Sequence, residues 1–309
     1  MVDLTTDDLK NALVAALKEV KADDVPSLAA GIAFKIFLSI FPGLIAAVAT
    51  FSLVMSPERL PGLLSRMQGL LPQEAIDFVG LVLDDLVSDA GGGAGGLAVL
   101  GVLGGLWSGS SAAVTLMRAL NRINDVKEAR GVVAQRAVAF ALTLALFAVI
   151  TALITLVVVG PQVQDLLLPA ALEDSPVALL FGVGQFLVAV ALLMGLFAFA
   201  YWLGPSRQRG GWRAVSPGAV LGVIGWLALS GGFTLFVQLA GNFKATYGGL
   251  AGIIVLLLWL QLSMLVLLFG AELDAEIMRL RARRAAVAAG AGFGLAGPEA
   301  ELIDSDESP

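Results

Sequence analysis

The chain has 309 residues, of which 58% are hydrophobic and only 14% charged, and its net charge is −6. A chain this apolar cannot cover itself with polar groups, which excludes an ordinary water-soluble domain and indicates a membrane protein. It contains no cysteine and no histidine, so disulfides, thiolate or imidazole metal ligands, cysteine nucleophiles and histidine general bases are excluded. The negative charge also argues against a nucleic-acid partner.

Six apolar runs are long enough to cross a bilayer. A helix needs about 20 apolar residues to cross roughly 30 Å of hydrocarbon. Runs of that length, nearly free of charge, cover residues 27–54, 93–117, 137–159, 177–203, 215–239 and 247–271. The sequence therefore predicts an all-α integral membrane protein with six transmembrane helices.

The distribution of lysine and arginine predicts how these helices are oriented, because basic loops are retained on the cytoplasmic side. Fifteen of the 19 basic residues lie before the first span, between the second and third, between the fourth and fifth, or after the sixth. The opposite loops contain only Arg59, Arg66 and Lys244. Both termini are therefore predicted to be cytoplasmic.

Segments outside the spans divide the chain into three parts. Residues 1–26 form a cytoplasmic N-terminal segment, whose amphipathic helix is predicted to lie on the inner membrane surface. Its apolar face comprises Leu9, Leu13, Ala16, Leu17 and Val20. A second amphipathic helix, on the periplasmic or extracellular side between the first two spans, is predicted from Pro72 to about residue 88. Ordinary packing and lipid sensing remain alternatives for both helices. Residues 27–277 form the membrane domain, and residues 278–309 an Arg-rich, then acidic, disordered tail.

The first span contains a lysine and a proline. Lys35 lies about 12 Å into the span, where an ionisable group is costly and indicates a polar pathway; snorkelling of its stem or a local hydrogen bond is the alternative. Pro42 removes a backbone hydrogen bond and predicts a kinked or broken helix. Ser39 is the nearest hydroxyl for the freed carbonyl. Such a break either binds substrate or is purely structural.

Pairs of glycines four residues apart recur in three spans. This spacing lets helix backbones approach closely, so we expect packing contacts, with sliding surfaces as the alternative. The pairs comprise Gly101, Gly105, Gly218, Gly222, Gly248 and Gly252.

A polar cluster follows the second span, where the helix leaves the membrane. Amides and an acid interleaved with arginines predict a hydrogen-bonded network or gate, which could close on Glu272 or Asp274 after the sixth span. Anionic lipid headgroups or a substrate phosphate are the alternative partners. Gln261, inside the sixth span, is a candidate for an interhelical bond or for the pathway. The cluster comprises Arg118, Asn121, Arg122, Asn124 and Asp125.

Short motifs recur in order along the chain. They read LSIFP at 38–42, LWS at 106–108, RALNR at 118–122, LGP at 203–205, SPGA at 216–219, YG at 247–248 and GAEL at 270–273. In this order they resemble the YihY/BrkB family of bacterial inner-membrane proteins, formerly labelled ribonuclease BN, over residues 25–277. The resemblance implies an inner-membrane location and makes Tyr247 a candidate site residue.

The residues do not support the family's ribonuclease label. Without histidine, and without cytosolic carboxylates at metal-binding spacing, the chain has no apparatus for phosphodiester hydrolysis. It also lacks a phosphate-binding loop, a dinucleotide fingerprint and a nucleophile elbow. We therefore expect neither an enzyme nor a bound cofactor or metal.

The function expected from the polar cluster, the first span and the resemblance is transport. We expect a transporter or flippase-like protein for a lipid or other amphiphile of the cell envelope. The alternative is a non-transporting scaffold or regulator of envelope partners. Expected partners are membrane lipids, with anionic headgroups at the cytoplasmic face, and a homo-oligomer is left open.

Overall fold

The structure, a computed structural model, describes residues 6–54, 94–167, 176–206, 216–239 and 250–288. These ranges contain seven helices and no strand, so the predicted all-α class is confirmed for them. The helix predicted from Pro72 lies outside the described residues. Of the predicted tail, residues 278–288 continue the last helix instead of being disordered, and residues 289–309 lie outside the described residues. The helices are α1 (Thr6–Ala22), α2 (Val25–Val54), α3 (Ala94–Ile123), α4 (Val132–Leu167), α5 (Pro176–Leu203), α6 (Pro217–Leu239) and α7 (Ala251–Ala288).

Four helices are long and apolar enough to cross a membrane within the described ranges. They contain the apolar stretches Val132–Leu153, Leu179–Leu203, Pro217–Val237 and Ala251–Val287. Only 11–28% of each stretch is buried inside the protein, so most of its apolar surface faces outward, as lipid-facing helices require. The first two predicted spans fall on α2 and α3, and α2 contains a shorter apolar stretch, Val25–Ile40.

The buried core lies where α2, α4 and α6 begin and where α3 and α5 end. Val25, Ala29 and Ile32, spaced at helical intervals on α2, pack with Met117 and Leu120 of α3. The second half of α7 completes this core. These helix ends therefore meet at one end of the bundle, which we call the basic end because Arg122, Arg130 and Arg279 make their contacts there.

Close backbone contact joins α6 to α7. A Cβ atom on Gly218 would collide with the carbonyl oxygen of Gly270. Further along, the indole of Trp226 donates to Ser263 Oγ at 3.1 Å and packs edge-on against Trp259, with ring centroids 5.9 Å apart. Glycine at the crossing thus allows the backbones of α6 and α7 to approach closely, and the contacts of the two tryptophans stabilise this packing.

The N-terminal helix α1 packs against α7 through small residues. Ala12 and Ala16 are buried with Leu273 and Ile277 of α7, and Asp8 forms an ion pair with Arg284. The three leucines of the predicted apolar face remain exposed. This helix therefore packs on the protein along one side and presents an apolar stripe on another, formed by Leu9, Leu13 and Leu17.

Helix α2 runs through Pro42 without interruption, so it is not a broken helix. Proline at position 42 has no N–H to donate to the carbonyl of Leu38, and Ser39 was expected to donate to that carbonyl. This expectation is wrong, because the Ser39 hydroxyl donates to the carbonyl of Ile36 at 2.7 Å. A serine on a helix reaches back to the carbonyl three or four residues earlier, whereas Leu38 immediately precedes Ser39. Pro42 instead lies beside Gly104 of α3, where an added Cβ would be 3.9 Å from the proline ring.

Candidate functional site

Three cationic side chains from three helices line one cavity at the basic end. Lys35 comes from α2, Arg118 from α3 and Arg136 from α4, around a volume of about 670 Å³. Ser111 and Gln135 add polar groups to the wall. The cavity thus combines positive charge with hydrogen-bonding capacity.

Lys35 is held across the contact between α2 and α3. Its ammonium donates to Thr115 Oγ1 at 2.7 Å, and that hydroxyl donates to the carbonyl of Ser111 at 3.1 Å. An ammonium has three N–H donors, so this bond leaves capacity for an anion. The local hydrogen bond that the sequence left as one alternative is therefore present, and Lys35 also lines the cavity.

Arg136 is positioned by an aromatic ring. Its guanidinium carbon lies 4.2 Å from the centroid of Trp107 on α3, a cation–π contact. This stacking leaves the edges of the guanidinium group, which carry its N–H donors, able to reach an anion.

No described carboxylate forms an ion pair with the three cations of the cavity. Among the described residues, Lys35, Arg118 and Arg136 have no carboxylate within the 4.0 Å that defines an ion pair, whereas five other pairs meet that distance. An anionic ligand would supply the missing negative charge. Phosphate suits this arrangement because arginine binds its oxygens through paired N–H donors.

The same cavity has an apolar border. Val132 and Val133 line it and are 83% and 85% exposed, and Phe140 completes this side. Trp107 is 62% exposed, so the cavity opens to the outside of the bundle. An anion with an attached apolar body fits these surroundings better than a small inorganic ion does.

A second set of contacts clamps the α3–α4 loop onto the end of α5. The backbone N–H of Ser206 donates to Asn121 Oδ1 at 2.6 Å, and Asn121 Nδ2 donates to Glu128 at 3.0 Å. Arg130 bonds Glu128 at 2.8 Å and donates to the carbonyl oxygens of Leu203 at 3.1 Å and Gly204 at 2.6 Å. The loop that leads into α4, and so to Arg136, is therefore fixed.

Glu128 is the anion at the centre of this clamp. Burial alone would raise the pKa of its carboxyl, but hydrogen bonds from Arg130, then Ser206 and Asn121, outweigh it and lower the pKa to about 2. Glu128 is therefore ionised at any physiological pH. Its charge serves the clamp, leaving the cations of the cavity uncompensated.

The polar network closes on α7 through Arg279. This side chain forms ion pairs with Glu276 and Asp125 and donates to the carbonyl of Ile123 at 2.9 Å. The two closing partners considered from the sequence have other positions. Asp274 accepts from the backbone N–H of Gly218 at 2.8 Å, at the start of α6, while Glu272 is completely buried.

The remaining predicted site residues are dispersed. Arg122 forms an ion pair with Asp23, at 3.4 Å, away from the cavity lining. A Cβ on Gly222 would lie 3.0 Å from the ring of Phe197. Gln261 and Gly252 are partly buried on α7, and α3 includes Gly101 and Gly105. Tyr247 and Gly248 lie outside the described residues.

Sequence reasoning used Arg130 and Arg136 only to orient the helices, and it missed Glu128 and Trp107 as site residues. One signal was available for α3: Trp107, Ser111, Val114 and Arg118 are spaced at helical intervals and form one stripe. No comparable signal marks Arg136 or Glu128, because their partners come from other segments.

Comparison with known proteins identifies relatives along most of the chain. The sequence model of a family described as Virulence factor BrkB matches residues 16–291. A putative ribonuclease-like protein, YfkH of Bacillus subtilis, is 29% identical over 81% of this chain and 88% of its own length. A UPF0761 membrane protein of Alteromonas mediterranea is 25% identical over 84% of this chain and 85% of its own length. One from Rhodospirillum rubrum is 26% identical over 90% of this chain and 61% of its own length. No solved structure matches.

Proposed function

The chain belongs to the BrkB family of membrane proteins, and we propose that it is a transporter or flippase-like protein for an anionic lipid or other anionic amphiphile. The headgroup binds among Lys35, Arg118 and Arg136, and the apolar body remains beside Val132 and Val133. The observation that carries this proposal is the set of three cations, from three helices, that line one cavity with an apolar border and form no ion pair with a described residue.

The proposed topology has six membrane spans, with both termini on the cytoplasmic side of the bacterial inner membrane. The contacts at the basic end support it. The α1–α2 turn meets the end of α3 through Asp23 and Arg122, and the α3–α4 loop meets the segment after α5 through Asn121 and Ser206. The end of α3, the α3–α4 loop and the sequence after α5 are rich in lysine and arginine, which favours the cytoplasmic side.

In this topology the cavity lies on the cytoplasmic side of the membrane, and Lys35, about 12 Å into the first span, is its deepest cation. Anionic lipids are enriched in that leaflet and attract basic side chains. A lipid in the leaflet would reach the cations from the side, past Val132 and Val133, without leaving the membrane. The position of the cavity is therefore compatible with loading from the inner leaflet.

We further propose that the chain is not an enzyme. The ribonuclease-like name belongs to the Bacillus subtilis relative. Among the described residues, the cavity is lined by cations, apolar groups, Ser111 and Gln135, with no carboxylate to act as general base. Such a wall binds an anion but has no group to activate a nucleophile against it.

The test is lipid translocation by the purified chain in liposomes. Fluorescent phosphatidic acid and fluorescent phosphatidylcholine would be followed between leaflets by chemical quenching of the outer leaflet. We expect the anionic lipid to move between leaflets faster than in empty liposomes. Arg118→Gln should lower this rate about tenfold, because a charge-assisted hydrogen bond contributes about 1.5–3 kcal/mol.

The matched control is Arg283→Gln, which removes the same charge from an exposed position on α7 outside the cavity lining. It should move lipid at the wild-type rate. If wild type and empty liposomes move every lipid at the same rate, transport is refuted and the scaffold alternative is favoured.

A further inference from the structure

Glu272 is a buried carboxyl with no role in the proposed anion site. It lies on α7 with no exposed surface, and neither carboxylate oxygen has a hydrogen-bond partner among the described residues. An ionised carboxylate without donors is very costly in the protein interior. The neutral, protonated form avoids that cost, and its O–H then needs an acceptor.

A carboxylate close enough to accept belongs to Asp23, in the turn between α1 and α2. Val25, two residues after Asp23, belongs to the same buried core as Ala271 and Ala275, which flank Glu272 on α7. Asp23 and Glu19 of α1 both act electrostatically on the Glu272 carboxyl. Asp23 also pairs with Arg122 of α3, at 3.4 Å, and its side chain is 19% exposed. It is therefore the link between buried Glu272 and water.

Few other charged groups face this pair. On α7, Arg279 acts on Glu272, but it is bound to Glu276, Asp125 and the carbonyl of Ile123. Helix α6 has no charged residue, and α2 has only Lys35. Asp23 keeps Arg122 as its ion-pair partner, whereas neither oxygen of Glu272 has a donor among the described residues, so a proton on Glu272 relieves the repulsion between the two carboxyls.

We propose that Glu272 and Asp23 form a proton-binding site that couples the α1–α2 turn to α7. With the proton bound, the O–H of Glu272 donates to the Asp23 carboxylate and the two elements stay together. When the proton leaves to water through Asp23, two carboxylates face each other beside Glu19. Their repulsion moves the turn, and with it the start of α2, away from α7.

This movement would reach the cavity through α2. Lys35 lies about three helical turns beyond Asp24 along the chain, and α2 packs against both α3 and α7. The inference goes beyond the proposed lipid transport and does not depend on it: a proton site can exist whether or not an anionic lipid moves. If transport occurs, the site would make its rate depend on pH.

Infrared spectroscopy of the purified full chain in lipid tests the proton directly. We expect a carbonyl stretch of a protonated carboxylic acid at neutral pH that is lost in Glu272→Gln. It should persist in Glu276→Gln, which alters a buried acid one turn further along α7 that is paired with Arg279. No such band in the wild type, or its persistence in Glu272→Gln, would overturn the proposal.

A distance measurement tests the coupling. The chain has no native cysteine, so spin labels can be placed at Lys21→Cys and Arg283→Cys, both exposed. Raising the pH should lengthen the distance between the labels in the wild-type background and leave it unchanged with Glu272→Gln, which cannot ionise. A distance that does not change with pH, or that changes equally in the wild-type and Glu272→Gln backgrounds, contradicts the coupling. Neither measurement requires lipid transport, so a failure of the proton site can be distinguished from a failure of the proposed transport.

Discussion

The guanidinium of Arg136 stacks on the indole of Trp107, 4.2 Å from the ring centroid, although the two residues belong to different helices. Both residues line the cavity between α3 and α4, so this contact orients one of its three cations. Removing the ring should therefore weaken anion binding without removing a charge.

Trp107→Leu should lower the affinity for phosphatidic acid about two- to fivefold, because an exposed cation–π contact contributes about 0.5–1 kcal/mol. Trp107→Phe, which keeps a weaker aromatic face, should lose less. Lipid binding to the purified protein in detergent measures both. Equal affinities for wild type and Trp107→Leu would show that the stacking does not position Arg136 for binding.

Asn121→Ala should destabilise the basic end. Asn121 joins the N–H of Ser206 to the Glu128 carboxylate, and its loss leaves two half-buried polar groups without that partner. We expect a cost of about 2–3 kcal/mol, seen as a lower midpoint of thermal unfolding in detergent. Arg118→Gln, one turn earlier on an exposed face, should leave the midpoint unchanged; a similar drop in both variants would refute the clamp.

Stability should fall in acid partly through Glu128. Its pKa is lowered from 4.5 to about 2 in the folded protein, so the unfolded chain binds the proton more readily. The contribution of Glu128 is therefore fully present above about pH 5 and is lost as the pH falls toward 2. In Glu128→Gln this part of the pH dependence should vanish. The measurement is the unfolding midpoint against pH, and identical slopes in the two proteins would contradict the assignment.

Gly218→Ala should be strongly destabilising. The added methyl would meet the Gly270 carbonyl oxygen and the Asp274 carboxyl, 2.6 Å away, forcing α6 from α7 at a cost of about 2 kcal/mol or more. Gly231→Ala is the matched control on the same helix, since nothing lies within 4 Å of its Cβ position. There, alanine should be neutral or stabilise the helix by up to about 1 kcal/mol. Similar unfolding midpoints for the two variants would show that the crossing tolerates a methyl group.

The helices were predictable because a long apolar run has few alternatives to a helix in lipid. Lys35 could be identified for the same reason, since a charge stands out in such a run. Its hydrogen bond to Thr115 could not, because it depends on how α2 and α3 align, and no local pattern encodes that alignment.

Partners from distant segments explain most of what the sequence did not reveal. Glu272 was recognised as a candidate, but the acid beside it, Asp23, lies at the other end of the chain. From the sequence, Arg136 served only to assign the cytoplasmic side, because its contact with Trp107 appears only in the folded protein. The expected role of Ser39 failed for the opposite reason: its local geometry as a helical serine determined its bond.

The measurement that tests the central claim most directly is lipid retention by native mass spectrometry, comparing phosphatidic acid with phosphatidylcholine. The triple variant Lys35→Gln/Arg118→Gln/Arg136→Gln removes the cavity cations, and Lys10→Gln/Lys18→Gln/Arg283→Gln removes the same charge from exposed positions. We predict that wild type and the exposed-site variant retain phosphatidic acid in preference to phosphatidylcholine, and that the cavity variant loses this preference. Equal retention of phosphatidic acid by both triple variants would contradict an anion site in this cavity.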